Sequence, residues 1–317
     1  MSKNNGLGLV YLFAVINSLI VGFSFLFTKV ALDYAPPIDT LAFRFAVAFL
    51  VMSIPVLFGR IKLSYKGKPV FKAILLASMY PLGFFTLQAF GLQHATSAEG
   101  GILHAFTPIL TLTLAFIFLK EVTTTLQKLS ISLSIFGVIF IFVMKGSTVD
   151  LSNMTGISLL FLACLSIAGY SVLARFLLKS FRPVEITFLT LAVGFSTFLI
   201  YSVTQHAIAG TLTEFLVPLT NRSFVFSIFY LGILSSLITS LISSYSLSKI
   251  EASKMSVFAN MSTIVSMAAG AMFQGEVITV YHIIGATCII AGVIGTQYFH
   301  RNRVLKAPSL SSEQAKV

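Results

Sequence analysis

Displaced by 155 residues, part of this chain falls on itself. Lys120-Glu121-Val122 lands on Gly275-Glu276-Val277, and Gly137-Val138-Ile139 lands on Gly292-Val293-Ile294. Each copy reads as an apolar run, a Glu-Val turn, and a second apolar run that closes on Gly-Val-Ile. Earlier segments match at a displacement of 146: Pro37-Ile38-Asp39 with Pro183-Val184-Glu185, and Lys29 with Arg175. The two displacements differ by nine residues, so an insertion is expected in the second copy, in a longer loop near 204–223. One insertion reconciles both, which argues against chance similarity between apolar stretches. The fold must therefore be two copies of one unit.

The solvent for those copies is lipid. Hydrophobic residues make up 56% of the 317 and charged residues 10%, where a soluble domain carries about 25% charged. A hydrocarbon core about 30 Å thick takes about 20 apolar residues per helix. The apolar runs predict spans at 7–28, 38–58, 71–92, 97–119, 128–144, 156–178, 185–203, 224–246, 253–274 and 281–299. The expected fold class is all-α: a polytopic membrane protein of ten transmembrane helices built from two inverted five-helix repeats. Five spans per copy make the second copy enter from the opposite face, the arrangement of alternating-access carriers. The expected units are residues 1–148, residues 149–300 and a tail, 301–317. The chain from His300 onward reads as a short, disordered cytoplasmic segment.

The net charge of +11 raises the question of a nucleic-acid partner. With the amino terminus placed inside, 17 of the 21 Lys and Arg residues fall on inside segments. That is the positive-inside bias, so the basic charge sets orientation and does not bind nucleic acid. Both termini are expected in the cytoplasm, in the plasma membrane, with the first apolar run retained as a helix. Cys164 and Cys288 both fall within spans, where small packing residues are the expectation, with no disulfide framework and no metal site. There is no Trp; Tyr11, Tyr34, Tyr80, Tyr281 and Tyr298 near span ends are the expected interfacial belt.

A set of motifs sits on this frame. Gly22-Phe-Ser-Phe-Leu-Phe-Thr-Lys29 lies in the first span, followed by Pro36-Pro37 and Arg44. Ala95-Thr-Ser-Ala98, Pro108, Phe118-Leu-Lys-Glu121 and Gly137-Val138 complete the first copy. Gly169, Tyr170, Arg175, Pro183, Ala252, Gly275-Glu276, Gly285 and Gly292-Val293 carry the second. Together these resemble the drug/metabolite transporter superfamily, specifically its ten-helix EamA-like branch, over about residues 7–299. Three departures stand out. Val21-Gly22 replaces the Trp-Gly frequent in the family, Thr263 stands opposite Pro108, and Thr190 opposite Arg44. The resemblance implies a secondary carrier for small organic solutes such as amino acids, related metabolites or drug-like amphiphiles.

Polar side chains within the spans mark the candidate site, because in hydrocarbon they face protein or water. His104 and Asn260 each lie about seven residues into a span, or ~10 Å deep at 1.5 Å per residue. Both approach the midplane, where repeat-built carriers hold substrate. His104 could bind substrate or switch a proton; Asn260 could line the path or bond between helices. Tyr80, Phe84 and Gln88 follow an i, i+4, i+8 spacing and share one face. Asn17 and Tyr170 complete the substrate-binding candidates. Lys29, Arg44 and Glu99 are expected near the outer face as an ion-paired gate or as snorkelling anchors; attraction of an anionic solute is their alternative. The serine-rich run Ser235–Ser244 reads first as hydroxyls bonded back to their own helix. Glu121 and Glu276 read as structural residues near helix amino ends. Gly285 and Gly292 form a small face that could serve a homodimer contact.

No phosphate-binding Gly-x-x-x-x-Gly-Lys-Ser/Thr loop occurs, and no convergent catalytic set stands out. The expectation is a transporter, not an enzyme, that needs no cofactor and whose partners are a small-molecule substrate and the bilayer. The competing reading is a membrane sensor or scaffold that binds a ligand without moving it.

Overall fold

The structure is a computed structural model. It describes residues 3–94, 104, 106–121, 123–144, 154–274 and 279–306. Among these residues every regular element is a helix. In the first copy α1 spans Lys3–Leu32 and α2 spans Pro37–Leu57. α3 (Val70–Ala77) passes through a π-helical segment, Ser78–Gly83, into α4 (Phe84–His94). α5 is Thr107–Leu119 and α6 is Thr125–Met144. In the second copy α7 is Met154–Leu177 and α8 is Pro183–Ala209. A short α9 (Leu212–Leu216) and a 3₁₀ turn (Val217–Thr220) follow. α10 (Arg222–Phe229) enters a second π-helical segment, Tyr230–Ile238, and leaves it as α11 (Thr239–Lys249). α12 (Ala252–Val257), α13 (Ala259–Gln274) and α14 (Val280–Lys306) complete the chain.

Six of these helical stretches are long and apolar enough to cross a membrane: Gly8–Leu32, Pro37–Leu57, Val70–Gln88, Met154–Leu177, Pro183–Ala209 and Arg222–Lys249. Thr107–Leu119, Thr125–Ile141 and Val280–Thr296 are shorter apolar helices. Their outward faces carry Leu50, Ile54, Phe116, Phe136, Ile200, Phe226, Ile283 and Ile294, all exposed. In water such a surface would aggregate; against acyl chains it is solvated.

Local chemistry sets the helix ends. Pro37 and Pro183 occupy first helical positions, where a missing N–H costs nothing. The Arg182 amide donates to Glu185 Oε2 at 2.9 Å. Before α6, the Thr124 amide donates to Gln127 Oε1 at 2.9 Å and the Gln127 amide to Thr124 Oγ1 at 3.2 Å, a reciprocal cap. The 155 displacement carries this pair onto Thr279 and His282, and there the Thr279 amide donates to His282 Nδ1 at 3.0 Å. The duplication thus extends to capping chemistry between non-identical residues.

Glycines bring α6 and α14 together. A Cβ on Gly137 would stand 2.6 Å from the Gly285 carbonyl oxygen, and one on Gly292 would stand 2.5 Å from that of Ser130. These two contacts are the same contact under the 155 displacement, since Gly137 maps to Gly292 and Ser130 to Gly285. The glycine face expected at a homodimer contact is therefore used within the chain.

α2 and α8 pack antiparallel. Asp39, at the start of α2, meets Ser202 and His206 near the end of α8. Glu185, at the start of α8, meets Lys68 and Ser64 beyond the end of α2. The matched residues Asp39 and Glu185 thus sit at opposite ends of the bundle.

Three sequence expectations change. The insertion is helix, not loop. Six of its nine residues lengthen α8, which has 27 residues against 21 in α2, and three lengthen the helical stretch 222–249, which has 28 against 25 in 70–94. The connections 58–69 and 210–221 are equal in length. The added turns carry His206. The residues from His300 to Lys306 continue α14, and the rest of the expected tail lies outside the described residues. Tyr80 is not interfacial; it sits in the π-helical segment between α3 and α4.

Candidate functional site

The two π-helical segments occupy matched positions, because Ser78–Gly83 shifted by 155 falls within Tyr230–Ile238. Such segments interrupt a helix and re-aim its side chains, often at functional sites. In the first, Pro81 has no amide hydrogen for the helical ladder, and Tyr80 takes non-helical angles (φ −145°, ψ 119°). Its ring turns into the bundle and lies 4.9 Å from that of Tyr170 on α7, centroid to centroid. Phe85 is 5.3 Å away and Phe84 5.9 Å. His104 meets Phe84 edge-on at 5.9 Å. Tyr80, Phe84, His104 and Tyr170 are therefore one cluster built from both copies. Gly83 allows α7 to approach, since a Cβ there would stand 2.5 Å from Ser166 Oγ.

Arg44 belongs to the same cluster. It is 5% exposed, and its guanidinium stacks on Phe85 with Cζ 4.5 Å from the ring centroid. Nε donates to Ser236 Oγ at 2.7 Å and Nη2 to Ser235 Oγ at 3.0 Å. Both serines belong to the second π-helical segment. Its side chain turns inward, and no carboxylate pairs with it among the described residues; Glu99, the partner expected in an ion-paired gate, lies outside them. Phe85 is a site residue that the sequence does not mark, and Ser235 and Ser236, expected first to bond back to their own helix with wetting of a pathway as the alternative, serve Arg44 instead. Ser244 faces the Tyr170 phenol, so part of the serine run points at the cluster.

Away from this centre, carboxylates tie the copies together at the ends. At the end holding turns 58–69, 120–124, 178–182 and 250–251, Glu121 Oε1 accepts from the Ala252 amide at 3.3 Å and Oε2 from Ser253 Oγ at 3.1 Å. Arg175 stands 3.9 Å from the same carboxylate. Glu185 takes Lys68 at 2.5 Å and the Ser64 amide at 3.2 Å. Tyr65 donates to the Glu185 carbonyl at 3.0 Å. Burial and the Glu185 carboxylate push that phenol up to about 12, so it keeps its proton. At the opposite end Asp39 accepts from Ser202 Oγ and pairs with His206 Nε2 at 3.0 Å. His206 Nδ1 lies 2.8 Å from Thr211 Oγ1.

The model of the EamA-like transporter family matches residues 8–143 and 154–298, one match per copy. The chain belongs to the EamA-like transporter family. The Bacillus subtilis (strain 168) "Uncharacterized transporter YcxC" is 43% identical over 304 residues, covering 96% of this chain and 97% of that one. A second protein of the same organism, "Uncharacterized transporter YyaM", is 28% identical over 291 residues, covering 90% and 92%. A solved crystal structure is similar in fold, with a TM-score of 0.77 at 14% identity, covering 95% of this chain and 99% of that one. Membership makes this a multi-pass membrane transporter and not an enzyme.

The remaining candidates of this EamA-like chain make other contacts or lie outside the described residues. Asn260 is 2% exposed and donates to Ser134 Oγ on α6 at 3.1 Å, an interhelical bond. Asn17, half-buried on α1, accepts from Ser243 Oγ at 3.4 Å. Gln88 is half-buried one turn beyond Phe84. Lys29 lies in α1 with its side chain outside the described part, and Glu99 and Glu276 lie outside the described residues. Among the described residues no group of His, Cys, Asp and Glu could hold a metal ion.

Proposed function

We propose that this EamA-like protein is a secondary transporter of small organic solutes that works by alternating access. The reading takes ten spans: the nine apolar helices above and the Ala252–Gln274 stretch. They form two inverted repeats, residues 1–148 and 149–300, with the segment 301–317 and the amino terminus in the cytoplasm. The antiparallel, reciprocal α6–α14 contact supports that inversion. The host membrane is the plasma membrane, in line with the positive-inside bias.

The substrate site is the cluster of Tyr80, Phe84, His104 and Tyr170, with Asn17, Gln88 and Asn260 around it. The observation that carries this reading is that Tyr80, in the π-helical segment of one repeat, lies against Tyr170 of the other, while Ser235 and Ser236 of the matched segment hold Arg44 against Phe85. A site shared between repeats changes its access when one repeat rocks against the other. Aromatic faces with a few directed polar groups suit an amphiphilic solute.

The test is flux. Purified protein would be screened for thermal stabilisation by amino acids, nucleosides and amphiphilic drugs, since a ligand of the folded state raises apparent stability. The best hit would then be followed, radiolabelled, into proteoliposomes. Saturable uptake that falls at least about tenfold in Tyr170→Ala is the expected result, given the 1–3 kcal/mol typical of buried polar contacts. Binding without net movement of the label would favour the sensor reading.

A further inference from the structure

Among the described side chains, Arg44 is the one permanently charged group in the middle of the bundle. A buried guanidinium without a counter-charge is costly in a low-dielectric interior. The two serine hydroxyls and the Phe85 ring solvate it, but none of them neutralises it. The described carboxylates, Asp33, Asp39, Glu121, Glu185, Glu214 and Glu251, all lie at helix ends or in connections. Asp39 is on the same helix, but five residues or ~7.5 Å along its axis, and it is engaged by Ser202 and His206. The matched position in the other repeat is Thr190, which is buried and bonds to the Thr187 carbonyl. Among the described residues the central site therefore carries one positive charge, on one repeat only.

The hydrogen bonding is one-sided too. Nε and Nη2 of Arg44 are engaged by Ser236 and Ser235, whereas Nη1 makes no hydrogen bond among the described residues. Nη2 has two acceptors in Ser235, Oγ at 3.0 Å and the carbonyl oxygen at 3.4 Å, so Nη1 is the donor left to meet an oxygen of a carboxylate. We propose that Arg44 holds the single negative charge of the transported solute, and that the substrate class is a monocarboxylate with an aromatic or apolar body. The Phe84, Phe85, Tyr80 and Tyr170 rings receive that body. A cationic amphiphile would meet the like charge of Arg44 with no carboxylate among the described residues of the cluster to offset it, and a doubly charged phosphate monoester would leave one charge unpaired. The inference rests on the cluster being the substrate site.

The experiment measures thermal unfolding of the purified full chain with probes that share a body and differ in charge. Phenylacetate, indole-3-acetate and hexanoate are the acids; phenylacetamide, phenethylamine and phenyl phosphate are the comparisons. The expected result is stabilisation by at least one acid. The half-maximal concentration for phenylacetate should be at least about tenfold below that for phenylacetamide, the size of one charge-assisted bond. Phenethylamine should give no stabilisation, and phenyl phosphate less than phenylacetate. In Arg44→Gln the preference for acid over amide should vanish, and in Arg44→Lys it should persist in part. The proposal is overturned if no acid stabilises, if amide or amine matches the acid, or if Arg44→Gln keeps the preference. Should Arg44→Gln fail to fold, the wild-type ranking of acid, amide and amine decides alone. Tyr170→Ala separates the two readings. If it weakens acid and amide alike while no charge preference exists, the cluster stands and the Arg44 inference falls. If it changes nothing while Arg44→Gln still erases the preference, the Arg44 site stands and the cluster reading falls.

Discussion

Ser235 and Ser236 keep a guanidinium inside an apolar bundle by supplying two oxygens at 3.0 and 2.7 Å. Hydrogen bonds to charged groups contribute about 1.5–3 kcal/mol, and stranding the charge costs more than the bond itself. Ser236→Ala should therefore lower the thermal midpoint of the purified protein, and Ser236→Thr, which restores the hydroxyl, should recover most of the loss. An unchanged midpoint in Ser236→Ala would mean that Arg44 is solvated some other way. Much of this site was legible beforehand. Tyr80, Phe84, His104 and Tyr170 stood out because polar or amphipathic side chains in lipid need an interior partner. The place of Arg44 was not, because sequence depth gives height along a helix but not the face it presents. That face meets a serine-rich segment 191 residues away. Phe85 carried no signal at all, being one of 31 phenylalanines. Asn260 had the right depth and a different direction, toward Ser134.

At the scale of elements, the repeat was readable because apolar period, turn residues and Gly-Val-Ile closures all recur. The π-helical segments were not, since Pro81 hints at the first and nothing comparable marks the second. The inserted residues also misled: a nine-residue gain reads as a longer loop, yet six of the nine, the Gly-free stretch 204–209, extend the helix instead, through Gln205 and His206 to the left-handed Gly210 (φ 70°). The α6–α14 contact depends on absent side chains. A Cβ on Gly285 would stand 2.7 Å from the Gly137 carbonyl oxygen, and backbone cannot rotate away. Gly285→Ala should cost about 1–3 kcal/mol, the range for overpacking a tight contact, and reduce the monodisperse fraction on size exclusion. Gly8→Ala is the control, because nothing lies within 4 Å of its Cβ position. Replacing glycine within a helix there should be neutral or slightly stabilising. Equal losses in both variants would remove the packing explanation.

For the whole molecule, the carboxylates at the two ends define what the proposed alternating access would have to break. Glu121 on the first repeat holds Ala252 and Ser253 on the second. Glu185 on the second holds Lys68 and Ser64 on the first. Asp39 on the first holds Ser202 and His206 on the second, at the other end. All three links are present together in this structure. Under the proposed alternating access each would hold only while its own end is closed, so deleting it would raise the energy of that closed state and not of the other. One charge-assisted bond of about 1.5–3 kcal/mol shifts a two-state population at least about tenfold. Cysteine accessibility can read this shift. In a background with Cys164→Ala and Cys288→Ala, Tyr170→Cys places one thiol at the centre. Glu121→Gln should raise its labelling by a membrane-impermeant reagent from the end bearing the 120–124 turn. Asp39→Asn should raise it from the opposite end. The opposed directions distinguish gating from damage: a variant that merely loosens the bundle would increase labelling from both ends, and a purely structural link would change neither.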